Sequence, residues 1–577
     1  MKKTRNTFIN LYTEAGAEIK TQENVWKEYP RPQLEREFWQ SLNGIWDLDH
    51  KTIRVPFVPQ SVLSEYAGEI QDRMCYTKVF HVESFDDKKR TLLHFQAIDQ
   101  IAEVYLNGTF LGKHEGGYHP FSFDVSEVIK ERENHLLVEV TDCLDLDYPY
   151  GKQSKKRGGM WYTPTCGIWQ SVWLEQVPDK YITEVKIIPD LKGIQLKVKQ
   201  NCECSFGMRV VIFLDSGEEY NITVPKQESY IDLSEIVLAN GERYNPRLWN
   251  TEDPYLYKII IQTDSDKISS YFALRTIEIQ AVKGIRRVCL NHEPIFMHGV
   301  LDQGYYSDGI VLPARQEEYE KDILRMKALG FNMLRKHIKI EPECFYYYCD
   351  KHGMLVVQDM VNSGKYSFIK DTLLPTIGLH TVKERTRERS LKQRENFEKH
   401  MLETILLLHN HPCIVAYTIF NEGWGQFESD RLYELAKETD STRLFDATSG
   451  WFAQEKSDFD SIHIYFGNRR PDYKQRPVFL SEFGGYSYKE EGHIFSHKNY
   501  GYGTCKNTEE LMRRIEERYE ELVLPYVETG LCGSVYTQLS DVEDEINGFY
   551  TYDRKVCKAD KKAMNDLAEK IMKRIKA

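Results

Sequence analysis

From about residue 295 the chain alternates short, nearly continuous apolar runs with stretches of helical spacing. Eight runs, 295–301, 331–336, 354–359, 414–421, 443–448, 461–465, 478–482 and 532–539, read as buried β-strands. Between several of them apolar residues recur three or four apart, as at Tyr319, Ile323 and Met326, or at Leu511, Ile515, Tyr519 and Leu522 behind the cap-like Asn507-Thr508-Glu509-Glu510. Gly330 stands where a helix should stop before the second run. Eight strands alternating with helices over roughly 280 residues predict a (β/α)8 barrel, with functional groups at the C-terminal strand ends. The connection after the sixth run is too short for a full helix.

The first part of the chain has a different pattern. Short alternating runs dominate and helical spacing is scarce, which predicts an all-β architecture. One block, 26–177, carries runs at 92–95, 102–108 and 136–140, with Asn107-Gly108 as a hairpin-turn signal. A second, 178–276, has the length and strand spacing of a small β-sandwich. Val177-Pro178-Asp179 reads as the linker.

Two predicted strands end in a carboxylate: the fourth in Asn421-Glu422-Gly423-Trp424, the seventh in Ser481-Glu482-Phe483-Gly484-Gly485. A charge closing an apolar strand is costly unless the site uses it. Two carboxylates opening into one barrel mouth are the equipment for splitting a glycosidic bond.

At 577 residues the chain exceeds one core and suggests about three domains. Its 12% aromatic content offers faces on which sugar rings stack. A net charge of -12 argues against nucleic acid or an anionic membrane as partner, and no run has the length of a membrane span. The basic run Lys152-Gln153-Ser154-Lys155-Lys156-Arg157 reads as a solvated loop. No apolar segment follows the charges of Met1-Lys2-Lys3-Thr4-Arg5, so no signal peptide is expected. The 12 cysteines form no CxxC pair and read as free thiols of a reducing compartment, so a cytoplasmic location is expected.

Further motifs run along nearly the whole chain: Leu42-Asn43-Gly44-Ile45-Trp46, Val55-Pro56-Phe57-Val58-Pro59, Tyr105-Leu106-Asn107-Gly108, Gly167-Ile168-Trp169-Gln170-Ser171-Val172-Trp173-Leu174-Glu175, Leu248-Trp249 before Asp253-Pro254-Tyr255-Leu256-Tyr257, Gly330-Phe331-Asn332-Met333-Leu334-Arg335, and Asn410-His411-Pro412. With Asn421-Glu422 and Ser481-Glu482-Phe483-Gly484, their order and spacing resemble glycoside hydrolase family 2, which holds β-galactosidases, β-glucuronidases and β-mannosidases. The resemblance implies a jelly-roll sugar-binding-like domain at 1–177, an immunoglobulin-like β-sandwich at 178–277 and a catalytic TIM barrel at 278–577. It implies an exo-acting retaining β-glycosidase, with Glu482 as nucleophile and Glu422 as general acid/base. Asn421 is similar to the residue that binds the sugar 2-hydroxyl, Tyr465 to the tyrosine that steadies the nucleophile, and Arg335 to an arginine beside it. Tyr536 falls where relatives carry a tryptophan platform, and Trp424 and Trp451 are candidates to stack on sugar.

The chain departs from the best-known members around the pocket. Lys336-His337-Ile338-Lys339-Ile340-Glu341-Pro342 replaces a Thr/Cys-Ser-His-x-Pro segment, and Gly299-Val300-Leu301-Asp302-Gln303-Gly304-Tyr305 replaces a His-rich one. Asp302, Gln303, Lys336 and His337 become candidate sugar-hydroxyl ligands. Glu545-Ile546-Asn547 stands where glucuronidases carry an Asn-x-Lys clamp, and a glutamate there would repel a uronate. The segment 358–364 lacks the Glu-x-His magnesium ligands of large β-galactosidases, so neither metal nor cofactor is expected. β-Galactosidase comes first by family frequency. A β-glucuronidase or β-galacturonidase, another family specificity and a retaining transglycosylase stay open. A non-catalytic carbohydrate-binding protein is disfavoured by the retention of both glutamates, Asn421 and Tyr465. The expected partner is a carbohydrate. Family members often form dimers or tetramers, which leaves a homo-oligomer open. Segments 362–393 and 486–506 should form much of the pocket rim.

Overall fold

The computed structural model describes residues 11–203, 205–376, 384, 388–467, 469–496, 498 and 500–576. The first block folds into two facing antiparallel sheets. One has six strands, in the order Lys51–Val55, Gly44–Leu48, Arg73–Phe80, Asn134–Thr141, Ile101–Leu106 and Thr109–Glu115; the other has four, Trp39–Ser41, Val172–Val177, Arg90–Phe95 and Phe121–Asp124. Alternate residues such as Leu136, Val138 and Val140 turn inward to meet Tyr76, Leu93 and Phe95. The Asn107-Gly108 turn has positive φ at both positions (52° and 83°), the conformation of a tight hairpin. The second block sets Ile182–Pro189, Gly193–Gln200 and Glu228–Asp232 against Glu219–Val224, Met208–Phe213, Tyr257–Gln262 and Lys267–Phe272 around Leu196, Ile212 and Ile259.

The barrel follows, built from β1 (Met297–Asp302), β2 (Met333–Lys336), β3 (Leu355–Asp359), β4 (Ile414–Asn421), β5 (Leu444–Ser449), β6 (Asp460–Ile464), β7 (Val478–Gly484) and β8 (Leu531–Thr537). Each lies within two residues of a predicted run. All pair in parallel in the order β5-β4-β3-β2-β1-β8-β7-β6. Burial on both faces accounts for their unbroken apolar character. The helices α1 (Glu317–Lys327), α2 (Glu343–His352), α3 (Leu391–Leu408), α4 (Ser429–Thr439), α5 (Thr508–Leu522) and α6 (Lys561–Lys576) wrap the outside. Asn507 caps α5 by accepting from the Glu510 N–H (2.9 Å). Gly330 adopts φ +83°, and a Cβ there would sit 2.6 Å from that of Ala568.

Among the described residues no ladder joins β5 to β6, and neither 450–459 nor 465–477 contains a helix. Side chains close this seam instead: Asp458 accepts from the Phe445 N–H (2.7 Å), and Ser449 meets His463 (2.9 Å).

The first domain is fastened to the barrel along its length. Thr13 donates twice to Asp308 and Trp26 donates to the Pro313 carbonyl, while Arg36 joins Glu175 of its own domain to Asp266 of the second. The barrel's hydrophobic cluster takes in Phe57, Tyr118, Tyr162 and Trp169. The loop 149–162 crosses onto the barrel mouth, where the N–H groups of Tyr150 and Gly151 donate to the Asn362 carbonyl (3.0 and 3.4 Å). The basic run within it is solvated only in part: Lys155 and Lys156 are exposed, whereas Lys152 and Gln153 are buried and Arg157 pairs with Glu543 (2.5 Å) and Asp544 (3.5 Å). No helix of the described residues is long and apolar enough to cross a membrane, and their eleven cysteines are free thiols. The amino-terminal residues read for a signal peptide lie outside the described residues.

Candidate active site

β4 delivers Asn421 to the barrel mouth, and Glu422 follows in the left-handed region (φ +54°), uncommon for a residue with a side chain. Its N–H donates to the Ser449 carbonyl at the end of β5 (2.9 Å), which fixes the turn. Glu482 lies in β7 across the mouth. One oxygen of each glutamate and a ring nitrogen of His463 lie within 4.8 Å of one another. That separation is close to the 5–5.5 Å of retaining glycosidases and short of the roughly 6.5 Å or more that inverting enzymes need to admit a water.

Glu482 is buried and held on both oxygens. Arg335 Nη1 donates to Oε1 (3.0 Å), and Tyr465 Oη donates to Oε2 (2.5 Å) and lies 3.1 Å from Thr537 Oγ1. Burial alone would raise this carboxyl; His463, Arg335 and His337 outweigh it and hold the group below the usual carboxylate range. Arg335 is itself completely enclosed. It also donates to Asp359 Oδ1 (3.0 Å), to the Ser481 carbonyl (2.9 Å) and to Asn421 Oδ1 (2.9 Å), which leaves the Asn421 amide nitrogen to face a ligand. Asp359 Oδ2 orients His337 through Nδ1 (2.7 Å). The Tyr465 ring stacks on Tyr502 at 3.6 Å. Asn421, Glu422, Glu482, Arg335, Tyr465 and His337 are thus brought together.

Other expected ligands are placed elsewhere. Lys336 is buried in the barrel wall, its ammonium bound to Asp302 (2.6 Å) and Glu341 (2.8 Å). An ammonium needs such partners once desolvated, so its reading as a sugar ligand is corrected. Asp302 is committed to Lys336 and to the Gly304 N–H (2.9 Å), whereas Gln303 Oε1 is buried without a protein partner. Tyr536 is no platform. Strand alternation turns Thr537 into the mouth and Tyr536 outward, where it packs on Phe549 (4.8 Å) and Phe483 (5.5 Å). Trp424 is buried with Trp161 (5.0 Å) and Tyr150 (5.4 Å), its indole N–H on the Gly364 carbonyl (3.1 Å). Trp451 is half-buried at the rim, its ring 5.4 Å from His463. In the expected rim segments, 377–383, 385–387, 497 and 499 lie outside the described residues.

Two groups escaped the sequence reading, His463 and the site role of Lys152. His463 shares the inward face of β6 with Ser461 and Tyr465, a period-2 signal that could have found it. Lys152 comes from the first domain and acts electrostatically on both His337 and Glu545. No barrel-strand pattern could have revealed it. Glu545 itself is buried, accepting from Tyr162 Oη (2.6 Å) and Asn547 Nδ2 (3.1 Å); burial raises its carboxyl, Lys152 opposes the rise and Glu482 adds to it.

The spacing of Glu422, His463 and Glu482 would also suit three donors to a metal ion. Glu482 already accepts on both oxygens from Arg335 and Tyr465, and Glu422 Oε1 faces His463, so an ion there would compete with these contacts.

Two family models match the chain: the glycosyl hydrolase 2 galactose-binding domain-like model over residues 48–170, and the glycosyl hydrolases family 2 TIM barrel domain model over 281–493. A β-galactosidase of Thermoanaerobacter pseudethanolicus is 26% identical over 430 residues, 70% of this chain and 53% of that protein. A β-glucuronidase of Bacteroides fragilis is 25% identical over 395 residues, 64% of this chain and 53% of that protein. The chain spans about half the length of the curated relatives it matches. Among solved structures, a Ruminococcus gnavus β-glucuronidase superimposes with a TM-score of 0.73 at 18% identity, covering 95% of this chain and 99% of that one, a likeness of fold.

Proposed function

The chain belongs to glycoside hydrolase family 2, and on that premise we propose that it is an exo-acting retaining β-glycosidase that releases a terminal β-linked sugar by double displacement. The observation that carries the reading is the approach of Glu422 and Glu482 to within 4.8 Å, with Glu482 held as an anion by Arg335 and Tyr465. Glu482 attacks the anomeric carbon and the bond to the leaving oxygen breaks, while Glu422 gives that oxygen a proton. Glu422 then takes a proton from the water that displaces Glu482 and restores both groups. The Asn421 amide meets the sugar 2-hydroxyl, a contact that strengthens as positive charge grows on the ring. The exo character is supported by a wall on one side of the mouth, where Arg157 binds Glu543 and Asp544, and Tyr500 pairs with Glu545.

For the sugar, we propose a neutral β-glycoside, β-galactosides first. Lys336 and Lys339 are both consumed by Glu341, and the Glu545 carboxyl lies beside the site, so neither lysine is offered to a uronate. Lys152 favours a second reading, a β-glucuronide or β-galacturonide whose carboxylate its amine would meet. A panel of nitrophenyl β-glycosides and uronides, assayed with and without an alcohol acceptor, tests both readings. Highest kcat/KM on a neutral glycoside supports the first and highest kcat/KM on a uronide the second. Alkyl glycoside as the main product would make the protein a transglycosylase, and absence of turnover on every member would overturn the glycosidase reading.

A further inference from the structure

The double displacement as written leaves one side chain between the two glutamates without a task. His463 is buried in β6, with Nδ1 2.9 Å from Glu422 Oε1, Nε2 2.9 Å from Ser449 Oγ and Nε2 3.6 Å from Glu482 Oε1. Gly450 makes room for it, since a Cβ there would sit 2.9 Å from Nδ1.

The hydroxyls behind the ring determine which nitrogen carries the hydrogen. Ser481 Oγ donates to the Ile462 carbonyl (3.2 Å), so it can only accept from its neighbours, Ser461 Oγ at 2.7 Å and Ser449 Oγ at 2.9 Å. With its own hydrogen given to Ser481, Ser449 Oγ can only accept from His463 Nε2–H. In the neutral imidazole Nδ1 is then a bare acceptor. Its partner is Glu422 Oε1, so a single hydrogen lies between them, carried by the Glu422 carboxyl while the ring is neutral.

We propose that His463 is a positioning residue that holds the acid proton of Glu422, so that the proton delivered to the leaving group belongs to the Glu422–His463 pair. This rests on the acid/base reading of Glu422 and goes beyond it. In the first step the proton leaves the Oε1–Nδ1 line for the glycosidic oxygen as the C1–O bond breaks and the Glu482–C1 bond forms. In the second, the attacking water bonds to C1, the Glu482–C1 bond breaks, and the water's proton returns to the pair. His463 gains and loses nothing over the cycle. The charged and titratable groups facing the ring are Glu422 beyond β4, Glu482 on β7, Asp446 on β5 and Tyr465 at the end of its own strand, with Arg335 of β2 bound to Glu482. Two acceptors sharing one proton titrate as a unit.

The test pairs H463N with E422Q. In the wild type the basic limb of kcat/KM on a poor leaving group reports loss of the shared proton. In H463N, which has no basic nitrogen, that limb should move to lower pH by about one unit or more, while activated aryl glycosides, which need no acid, lose little. A limb left where the wild type has it overturns the proposal. Equal losses for good and poor leaving groups in E422Q would instead overturn the acid/base reading beneath it. If H463N does not fold, NMR of the wild type with labelled His and Glu decides. A bare Nδ1 with Nε2 protonated, titrating at the same apparent pKa as the Glu422 carboxyl, supports the proposal. The opposite tautomer, or two independent titrations, overturns it.

Discussion

Replacing Tyr465 with Phe removes one hydroxyl and leaves the ring stacked on Tyr502 at 3.6 Å. The lost contact is the 2.5 Å hydrogen bond to Glu482 Oε2, made in a buried site to an anion. A charge-assisted bond of that kind contributes about 1.5–3 kcal/mol. Its effect falls unevenly on the cycle. Glycosylation consumes the charge on Glu482, whereas deglycosylation returns it, so the donor matters most when the sugar departs. At 1.36 kcal/mol per tenfold, kcat should fall about 10- to 150-fold. KM should fall with it, because the glycosyl-enzyme accumulates. A pre-steady-state burst with an activated nitrophenyl glycoside, followed by mass spectrometry of the trapped adduct, reads this directly. The same bond helps hold Glu482 ionised, so its loss raises that carboxyl and moves the acid limb of kcat/KM to higher pH. A variant with kcat within about twofold of the wild type, no burst and an unmoved acid limb would refute the reasoning.

Glu482→Ala should abolish hydrolysis with the fold retained, and azide should restore turnover as a glycosyl azide of inverted configuration; near wild-type hydrolysis without azide would remove Glu482 from the role. Lys152→Met should raise KM for the preferred glycoside about tenfold, the loss of one charge-assisted contact, with kcat less affected; an unchanged KM would place the amine outside the sugar's reach. Tyr536→Ala should lower stability by about 3 kcal/mol or more in thermal or denaturant unfolding and leave KM unchanged below the transition; a tenfold rise in KM in the folded variant would return Tyr536 to the sugar site.

The eight barrel strands were legible because burial on both faces leaves unbroken apolar runs, and a glutamate closing such a run is conspicuous. Tyr465 and Tyr536 mark the limit of that reading. Both lie at strand ends, both resemble residues of known role, and only the direction of the pleat separates them. Tyr465 faces Glu482, whereas Tyr536 faces Phe549. His463 was within reach of the same alternation, but a histidine in an apolar run has an ordinary reading as core. Lys336 misled because a lysine beside a catalytic strand invites a ligand role, while its partner Glu341 arrives from the loop beyond. Lys152 lay beyond any local pattern, since its surroundings are made by a tertiary crossing of chain more than 180 positions away in sequence from His337.

That crossing divides the molecule's labour in an unexpected place. On the proposed function the two carboxylates and their supports all belong to the barrel, while the loop 149–162 of the first domain packs onto its mouth. On that reading chemistry and substrate choice would be encoded in different stretches of the chain, free to change at different rates. A lineage could keep its glutamates, arginine and tyrosine intact while redrawing its diet through a dozen residues of a domain that performs no reaction. By the same logic, grafting this barrel onto another member's amino-terminal half would carry over the reaction without the taste.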